Sequence, residues 1–324
     1  MKTQNDIKLT NRAFLSPLLW RGRERLLLLF LCLTVLYSCN QEVDFNTPID
    51  YPVTSVNYFA VSETLPLYTI GGSSNTGGIG VFVDTTEYMT YIPGSWSKIP
   101  YFAVAGTAKE GGFPFRNSNE SDYTPIYISY KAGTHNFIFS YLMVNEKTIT
   151  TCCKAQFDLK QGAYSCIYFA DAPGDTANYQ AFKVDEPLGK ATQDTKVAIN
   201  LVNLSYDAGN LKFKIQKTDA AGNVKEEAAG LSQNMAYGTS SGYVSVDTLY
   251  AQNGYIAINI YNANDSLLTV TGVPASAGHS YEVLARGFVR THQKQVIAGL
   301  YQGAIKYTKF TITPNFRTLL RQTY

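Results

Sequence analysis

Beyond residue 54 the chain alternates apolar and polar positions in short runs, and turns rich in Gly, Asn and Asp separate these runs. Such alternation places every second side chain on one face, as in a half-buried strand. In the first half the pattern predicts strands at residues 55–61, 65–70, 79–84, 101–106, 126–130, 136–144, 147–159, 163–170 and 179–184. In the second half it predicts strands at residues 197–204, 210–218, 242–249, 254–262, 266–273, 280–289 and 295–309. No long stretch has the period of a helix, so the pattern predicts an all-β protein.

Turn chemistry predicts how these strands are connected and divided. Residues 136–170 are expected to form an antiparallel meander, and strand 280–289 is expected to pair with strand 295–309. The polar stretches predict a tether, a first β-sandwich domain, a linker, a second β-sandwich domain and a polar, basic tail at residues 39–54, 55–186, 187–195, 196–310 and 311–324. One further strand is an alternative for the last of these segments. Each domain is long enough to bury a core of its own. The prediction is two tandem antiparallel, immunoglobulin-like β-sandwiches, and the 24 Tyr and 17 Phe suit their pleated surfaces.

The N-terminal segment has a pattern unlike the rest of the chain. Three arginines up to Arg25 precede an apolar run over residues 26–37, and the small Ser38 and then Cys39 follow. A basic start, a short apolar middle and a small-residue cleavage site are typical of a secretory signal peptide. A membrane-spanning anchor is one alternative, although it needs about 20 apolar residues. A signal peptide cut elsewhere, which would release a soluble periplasmic protein, is the other.

The end of this segment, Leu36-Tyr37-Ser38-Cys39, resembles the lipobox of bacterial lipoproteins, with a larger residue than usual at Tyr37. The resemblance implies that residues 1–38 are removed after Ser38 and that Cys39 is acylated on its sulfur and its new amine. Several acyl chains would hold the protein on a membrane, whereas one chain binds only reversibly. The acidic residues Glu42 and Asp44 that follow resemble those of surface lipoproteins of Bacteroidetes. The expected location is therefore the outer membrane, with display at the surface favoured over the periplasm.

Removal of the signal peptide changes the charge of the protein. Residues 1–38 contain six of the 27 Lys and Arg and two of the 25 Asp and Glu, so the remainder has 21 basic and 23 acidic residues, net −2. Binding to nucleic acid requires a basic surface, so nucleic acid is not an expected partner.

The two halves of the chain contain similar segments. Residues 56–60 (VNYFA) match 202–205 (VNLS), and residues 161–167 (QGAYSCI) match 277–283 (AGHSYEV). Self-similarity at this distance indicates tandem domains. The VNLS and AGHSY segments resemble the DUF4397 group of β-sandwich domains, which occurs in cell-envelope lipoproteins of Bacteroidetes. That resemblance implies the fold and the location, and it implies no particular activity.

The sequence contains no recognisable catalytic or metal-binding motif. It lacks G-x-S-x-G, H-E-x-x-H, P-loop and Rossmann glycine patterns, so we expect no enzyme activity and no cofactor. A pair of carboxylates for sugar hydrolysis remains an alternative, because the separation of such a pair is spatial. Cys152 and Cys153 are neighbours in a predicted strand and point to opposite faces, and Cys166 makes their number odd, which predicts reduced thiols. Residues 171–178 offer oxygen atoms without an EF-hand layout, which predicts a plain turn.

Two kinds of site remain as candidates. Trp96, with Tyr91 and Tyr101, forms an aromatic stretch beside predicted loops, where exposed rings stack on sugars; the alternative is that these rings fill the core. Asp175-Thr176-Ala177 and Asp265-Ser266-Leu267 resemble the O-glycosylation sequon of Bacteroidetes, which makes Thr176 and Ser266 candidate attachment sites.

The combined prediction is an envelope-anchored, non-enzymatic binding or adhesion module for a glycan or a peptide. Its membrane contact would be the lipid on Cys39. The alternative is a structural or accessory subunit of a cell-surface complex, which would contact a protein partner through a sheet edge or through the tail at residues 311–324.

Overall fold

The computed structural model of the chain describes residues 52–65, 77–84, 101–103, 112–113, 127–143, 146–186, 195–218, 224–228, 234–301 and 304–323. Their regular elements are β-strands, apart from one 3₁₀ turn at Thr248–Tyr250. This confirms the all-β prediction. Within the same ranges no helix is long and apolar enough to span a bilayer.

The first half forms two sheets with a core between them. Its strands are β1 (Val53–Ala60), β2 (Gly77–Val83), β3 (Tyr101–Ala103), β4 (Gly112–Phe113), β5 (Ile128–Lys131), β6 (Gly133–Met143), β7 (Glu146–Leu159), β8 (Tyr164–Asp171) and β9 (Tyr179–Glu186). One sheet has the order β5-β1-β8-β9 and the other the order β4-β3-β2-β6-β7. Tyr58, Phe137 and Phe169 are among the buried side chains that the two sheets enclose.

The second half is built in the same way. Its strands are β10 (Lys196–Asn203), β11 (Lys212–Thr218), β12 (Val224–Glu227), β13 (Val244–Asp247), β14 (Tyr255–Tyr261), β15 (Leu267–Pro274), β16 (Ser280–Arg286), β17 (His292–Tyr301), β18 (Ala304–Ile312) and β19 (Arg317–Gln322). One sheet has the order β13-β10-β16-β19 and the other the order β12-β11-β14-β15, and β17 pairs with β18. Each half is thus a β-sandwich, as predicted.

The strand register relates the two sandwiches residue by residue. β1 lies between antiparallel β5 and parallel β8, and β10 lies in the same way between β13 and β16. Asn57 faces Cys166 across the parallel pair, and Asn200 faces Glu282. Asn57 therefore corresponds to Asn200, and the sequence comparison, which matched it with Asn203, was wrong by three residues.

The turn that precedes each parallel strand is also repeated. Gly162 and Gly278 both have positive φ, and each donates its backbone N–H over 2.8 Å to the first strand of its sandwich, at Val53 and Lys196. Glycine adopts this conformation without the penalty of a Cβ. The match of residues 161–167 with residues 277–283 is therefore confirmed.

Two predicted strand pairings were wrong. β8 does not continue a meander with β7; it crosses to the other sheet and pairs in parallel with β1. Likewise β16 pairs with β10 and β19. The region predicted as one strand at residues 295–309 lies in two paired strands, β17 and β18. In β8 and β16 nearly every residue is buried, so neither has the two-faced alternation that marks an antiparallel hairpin strand.

The two sandwiches pack on each other through a third core. Tyr51–Tyr324 form one compact unit. Phe59 and Tyr168 of the first half contact Leu284 and Leu319 of the second in a cluster distinct from the core of either sandwich. The sheets that contain β1 and β10 are thus buried on both faces. The predicted linker lies almost wholly outside the described residues.

The segment predicted as a polar tail contributes to this interface. Residues 317–322 form β19, which pairs with β16, and Leu319 and Arg321 are 5% and 3% exposed. The structure has the alternative of one further strand in this segment. Its arginines Arg317 and Arg321 bind the buried carboxylates of Glu63 and Glu186.

Arg321 is the centre of a buried ionic cluster between the sandwiches. Its guanidinium donates to Glu282 over 2.8 Å and to Glu186, and both carboxylates also accept from tyrosines, Tyr168 and Tyr127 respectively. Burial raises the pKa of Glu186, the nearby Glu282 raises it further, and Arg321 opposes both effects. One guanidinium therefore forms ion pairs with two carboxylates that come from different halves of the protein.

The β17–β18 hairpin extends from the second half onto the first. Val296 is fully buried in the core of the first sandwich. The Lys294 ammonium donates to the carbonyl oxygen of Ala172 over 2.8 Å, and the Gln295 N–H donates to the carbonyl oxygen of Asp175 over 2.6 Å. The loop at residues 171–178 is therefore held by protein groups. Among the described residues no group of three His, Cys, Asp or Glu is placed to hold a metal ion.

Candidate ligand-binding face

The strand β14 separates two kinds of side chain. Ile256, Ile258 and Ile260 are fully buried in the core of the second sandwich. The alternate residues Tyr255, Ala257, Asn259 and Tyr261 are exposed or half-buried and lie on the opposite face of the sheet. The partial exposure of these alternate residues shows that this side of the sheet faces solvent. An aromatic and amide row is therefore displayed on the surface.

Neighbouring strands extend this row into a surface that we call the outer face. On β11, Lys212 lies opposite Tyr261 and Lys214 lies opposite Asn259. On β15, Gly272 lies opposite Ala257 and Val270 lies opposite Asn259. The outer face comprises Lys212, Lys214, Gln216, Tyr255, Ala257, Asn259, Tyr261, Val270 and Gly272.

Tyr255 lies across a glycine on the outer face. A Cβ added to Gly272 would be 3.4 Å from the Tyr255 Cβ and 3.5 Å from a ring carbon. The ring therefore packs on the glycine backbone, where no side chain lifts it from the sheet. The Tyr255 side chain is still 54% exposed. An aromatic ring with one side supported and the other open is suited to stacking on an apolar ligand surface.

Polar groups continue from this ring along the strand. The Asn259 amide donates to Gln216 over 3.3 Å, and the Gln216 amide donates to Glu227 over 3.3 Å. The Lys214 ammonium lies 5.6 Å from the centre of the Tyr261 ring. At about 3.3 Å per residue, Tyr255 and Tyr261 are roughly 20 Å apart, which gives the face room for a chain of several sugar rings.

Exposed apolar side chains are concentrated in this part of the protein. Among the described residues the large hydrophobic side chains with the greatest exposure are Leu249, Tyr255, Leu267, Val270 and Tyr307. Tyr255, Leu267 and Val270 belong to the β14–β15 hairpin, and Leu249 lies in the 3₁₀ turn that contacts β14. Exposed apolar groups in one place are typical of an interaction site.

The corresponding face of the first sandwich is different. There β6 and β7 present Asn136 and Gln156, whose amides are joined by a 3.0 Å hydrogen bond, together with exposed Lys154 and Asp158. Phe82 lies on this face opposite Ile138 and is only 4% exposed. Among the side chains that the structure describes, the exposed aromatic row therefore lies on the second sandwich.

Most of the predicted aromatic site lies outside the described residues. Trp96 and Tyr91 lie outside the described residues, and Tyr101 is the first residue of the short strand β3, opposite Gly80. Ligand contact by these three residues stays a prediction. Sequence reasoning missed the outer face, although the signal was present. The segment YIAINIY over β14 places isoleucine on one face and Tyr, Ala, Asn and Tyr on the other.

The candidate modification sites fall in different regions. Thr176 is exposed in the loop before β9 and accepts a 2.6 Å hydrogen bond from Asn178. Ser266 is exposed in the turn between β14 and β15. O-glycosylation at both stays a prediction. Ser38 and Cys39 lie outside the described residues.

The histidine–carboxylate pairs that the structure describes serve the fold. His135 Nδ1 lies 2.5 Å from Asp84, and its Nε2 lies 2.6 Å from the carbonyl oxygen of Lys131. His292 Nε2 lies 2.8 Å from Asp207, which also accepts the backbone N–H of Arg290 over 2.9 Å. Asp84 likewise accepts the backbone N–H of Asn136 over 2.9 Å, so each carboxylate links its histidine to the backbone of a nearby segment.

A carboxylate pair and two of the thiols are buried. Glu186 and Glu282, which share Arg321, are 6% and 0% exposed, so this carboxylate pair is sealed between the sheets. Cys153 and Cys166 are buried and Cys152 is half-buried, and these three cysteines form no disulfide bond. Burial raises the pKa of Cys153 to about 11, which keeps it protonated at neutral pH. The outer face, by contrast, offers accessible groups for stacking, amide hydrogen bonds and contact with an ammonium group.

Comparisons with known proteins found likenesses among solved structures. No protein-family model and no curated protein matches the chain. A solved structure described as a "putative cell adhesion protein" from Bacteroides fragilis is 13% identical and matches 81% of this chain and 98% of its own, with a TM-score of 0.19. This TM-score is too low for the likeness to support a statement about fold or function. The all-β assignment rests on the strand pairing itself.

Proposed function

We propose that this protein is a non-enzymatic binding module of the cell envelope and that its outer face binds a glycan. The observation that carries the proposal is the Tyr255 ring, which lies on Gly272 and is 54% exposed. Sugar rings have apolar C–H faces that stack on aromatic rings and hydroxyl groups that bond to amides. The amides of Asn259 and Gln216 supply the second kind of contact on the same face.

Replacing Tyr255 by alanine should abolish most of the glycan binding. Loss of the stacked ring removes about 1.5 kcal/mol or more of buried contact, which is about tenfold in affinity. Binding of the purified full-length chain to a glycan array, followed by titration of any glycan that binds, measures this loss. Tyr307→Ala is the matched control, because Tyr307 is also exposed (43%) but lies on β18 outside the outer face. Undiminished binding by Tyr255→Ala would refute the site.

The envelope location is the second part of the proposal. The lipobox-like segment before Cys39 supports a lipid anchor on that sulfur, and residues 40–54 would then serve as the tether. The resemblance to envelope domains of the DUF4397 group supports the same location. An outer-membrane protein with the outer face displayed at the surface fits a glycan-binding or adhesion role.

Labelling of cells with a radioactive palmitate tests the anchor. The wild-type chain should be labelled and should fractionate with the outer membrane, whereas Cys39→Ser should lose the label. Cys32→Ser is the control, because Cys32 lies within the apolar run that would be removed. Label retained by Cys39→Ser, or an unlabelled wild-type protein in the cytosolic fraction, would contradict the location.

A protein partner is the second candidate, and a specific observation favours it. β15 is the last strand of its sheet, and Leu267 and Val270 in it are 54% and 51% exposed. An exposed strand edge can pair with a strand of another protein. The contrary outcome is a wild-type chain that binds no glycan on any array while a protein partner co-purifies with it through this edge. In that case the accessory-subunit role replaces the glycan-binding one.

A further inference from the structure

The two lysines of the outer face have different surroundings. The Lys212 ammonium is 3.0 Å from the Asp265 carboxylate, so its charge is balanced within the protein. Within the ranges that the structure describes, Lys214 has no carboxylate within ion-pair distance. Its ammonium lies over the Tyr261 ring, 5.6 Å from the ring centre. A cation placed on an aromatic ring is held by the quadrupole of the ring and keeps its charge available to a ligand.

Two acidic side chains near Lys214 differ in how their charge is balanced. Asp265 pairs with Lys212, whereas the Glu227 carboxylate accepts only the neutral Gln216 amide over 3.3 Å and keeps its negative charge. Glu227 lies on the edge strand β12, opposite Gln216, while Lys214 lies on β11 beside β14. The strand on the other side of β14, β15, presents Val270 and Gly272, which are uncharged. Among the described side chains of the outer face on β11, β14 and β15, the charge without an ion-pair partner is therefore that of Lys214.

The position of Lys214 suits a ligand that is stacked on Tyr255. Lys214 lies directly opposite Asn259. Asn259 is four residues along β14 from Tyr255, which is about 13 Å. A chain of sugar rings that begins at Tyr255 and follows β14 would therefore pass Asn259 and bring a later ring beside the Lys214 ammonium.

We propose that the ligand of the outer face is an acidic oligosaccharide, whose carboxylate or sulfate group is bound by Lys214. This inference rests on the proposed function, because it assigns a chemical class to the glycan that stacks on Tyr255. Charge-assisted hydrogen bonds from an ammonium to such an anion are roughly twice as strong as neutral ones. Selection of acidic over neutral glycans follows from that difference.

The test uses an array of paired oligosaccharides and the purified full-length chain. Uronic-acid oligosaccharides are placed beside their carboxyl-reduced counterparts, and sulfated oligosaccharides beside their desulfated counterparts. The wild-type chain should prefer the acidic member of at least one pair by about tenfold, the factor that corresponds to one charged hydrogen bond. Added salt should weaken this preference, since 1 M salt shortens the screening length to about 3 Å.

Lys214→Gln should remove the preference while leaving binding to the neutral member intact. Lys217→Gln is the matched control, because Lys217 is an exposed lysine on the same strand with the opposite alternation, opposite Glu226. Equal binding of acidic and neutral members by the wild type, or a preference that survives in Lys214→Gln, would overturn this inference and leave the glycan-binding proposal standing. Absence of binding to every oligosaccharide, or binding that Tyr255→Ala does not weaken, would instead overturn the proposed function.

Discussion

Replacing Arg321 by methionine should lower the free energy of unfolding by about 3–5 kcal/mol at neutral pH, because it leaves buried carboxylates without their cation. Arg321 is 3% exposed and donates to Glu186 and Glu282 at the interface of the two sandwiches. Methionine matches much of the side-chain length, so the loss reports charge more than volume. Urea unfolding followed by circular dichroism measures the change. Arg290→Met is the control, because Arg290 is exposed.

The pH dependence of this variant separates charge from packing. In the wild type burial already raises the pKa of Glu186 above its usual value of 4.5. Without Arg321, which opposes this effect, Glu186 should bind a proton still more readily in the folded state than in the unfolded state. A raised pKa in the folded state favours folding as the pH falls, so the deficit should shrink toward pH 4.5 and widen above it.

A compensated variant provides the counter-test. Glu186→Gln and Glu282→Gln, added to Arg321→Met, remove both buried charges and keep oxygen acceptors for Tyr127 and Tyr168. This triple variant should recover much of the lost stability. A single variant that unfolds like the wild type, or a deficit that is the same at all pH values, would mean that the ionic cluster does not hold the sandwiches together.

Replacing Gly287 by alanine should cost about 2–5 kcal/mol of unfolding free energy. Gly287 has φ +84°, a region that costs other residues about 1–2 kcal/mol. A Cβ there would also be 2.5 Å from the backbone oxygen of Asn315, and an overlap with backbone costs about 1–3 kcal/mol more. The neighbouring Phe288 accepts the Asn315 N–H over 2.8 Å, so this corner joins the end of β16 to the segment before β19. The same urea unfolding measures the loss.

Gly209→Ala is the matched control for this corner. Gly209 has φ +69°, and a Cβ there would meet no atom within 4 Å. Its substitution should therefore cost the conformational penalty alone, about 1–2 kcal/mol. Equal losses at Gly287 and Gly209 would show that the close approach to Asn315 has no energetic weight.

Both predictions concern the layer that joins the two halves, and this layer matters for the proposed site. The outer face belongs to a sheet whose other side packs on the core of the second sandwich, and that sandwich is held to the first through Arg321 and the β17–β18 hairpin. A binding surface on paired strands keeps its side chains at constant spacing, which favours a rigid, extended ligand.

The sequence by itself determined the class of the protein and much of its internal repeat. Alternation of apolar and polar positions identified most strands, including β14, because a strand with one face in the core must follow a period of two. The segments around Gly162 and Gly278 identified the repeated turn, because a positive φ restricts the residue type locally. Such features depend on near neighbours in the chain, and they can be recognised without knowing the fold.

Only the tertiary structure decided how strands pair and which side chains are buried. β8 and β16 are buried on both faces, so their composition could not indicate that each pairs in parallel with the first strand of its sandwich. Residues 311–324 were predicted as a polar, basic tail or one further strand, and the sequence could not decide between these because the partners of Arg321 lie 39 and 135 residues away. The outer face has the same origin, since Gly272 and Lys214 meet β14 only by strand pairing. Contacts between residues distant in the chain depend on the packing of whole sheets, and no local pattern specifies that packing.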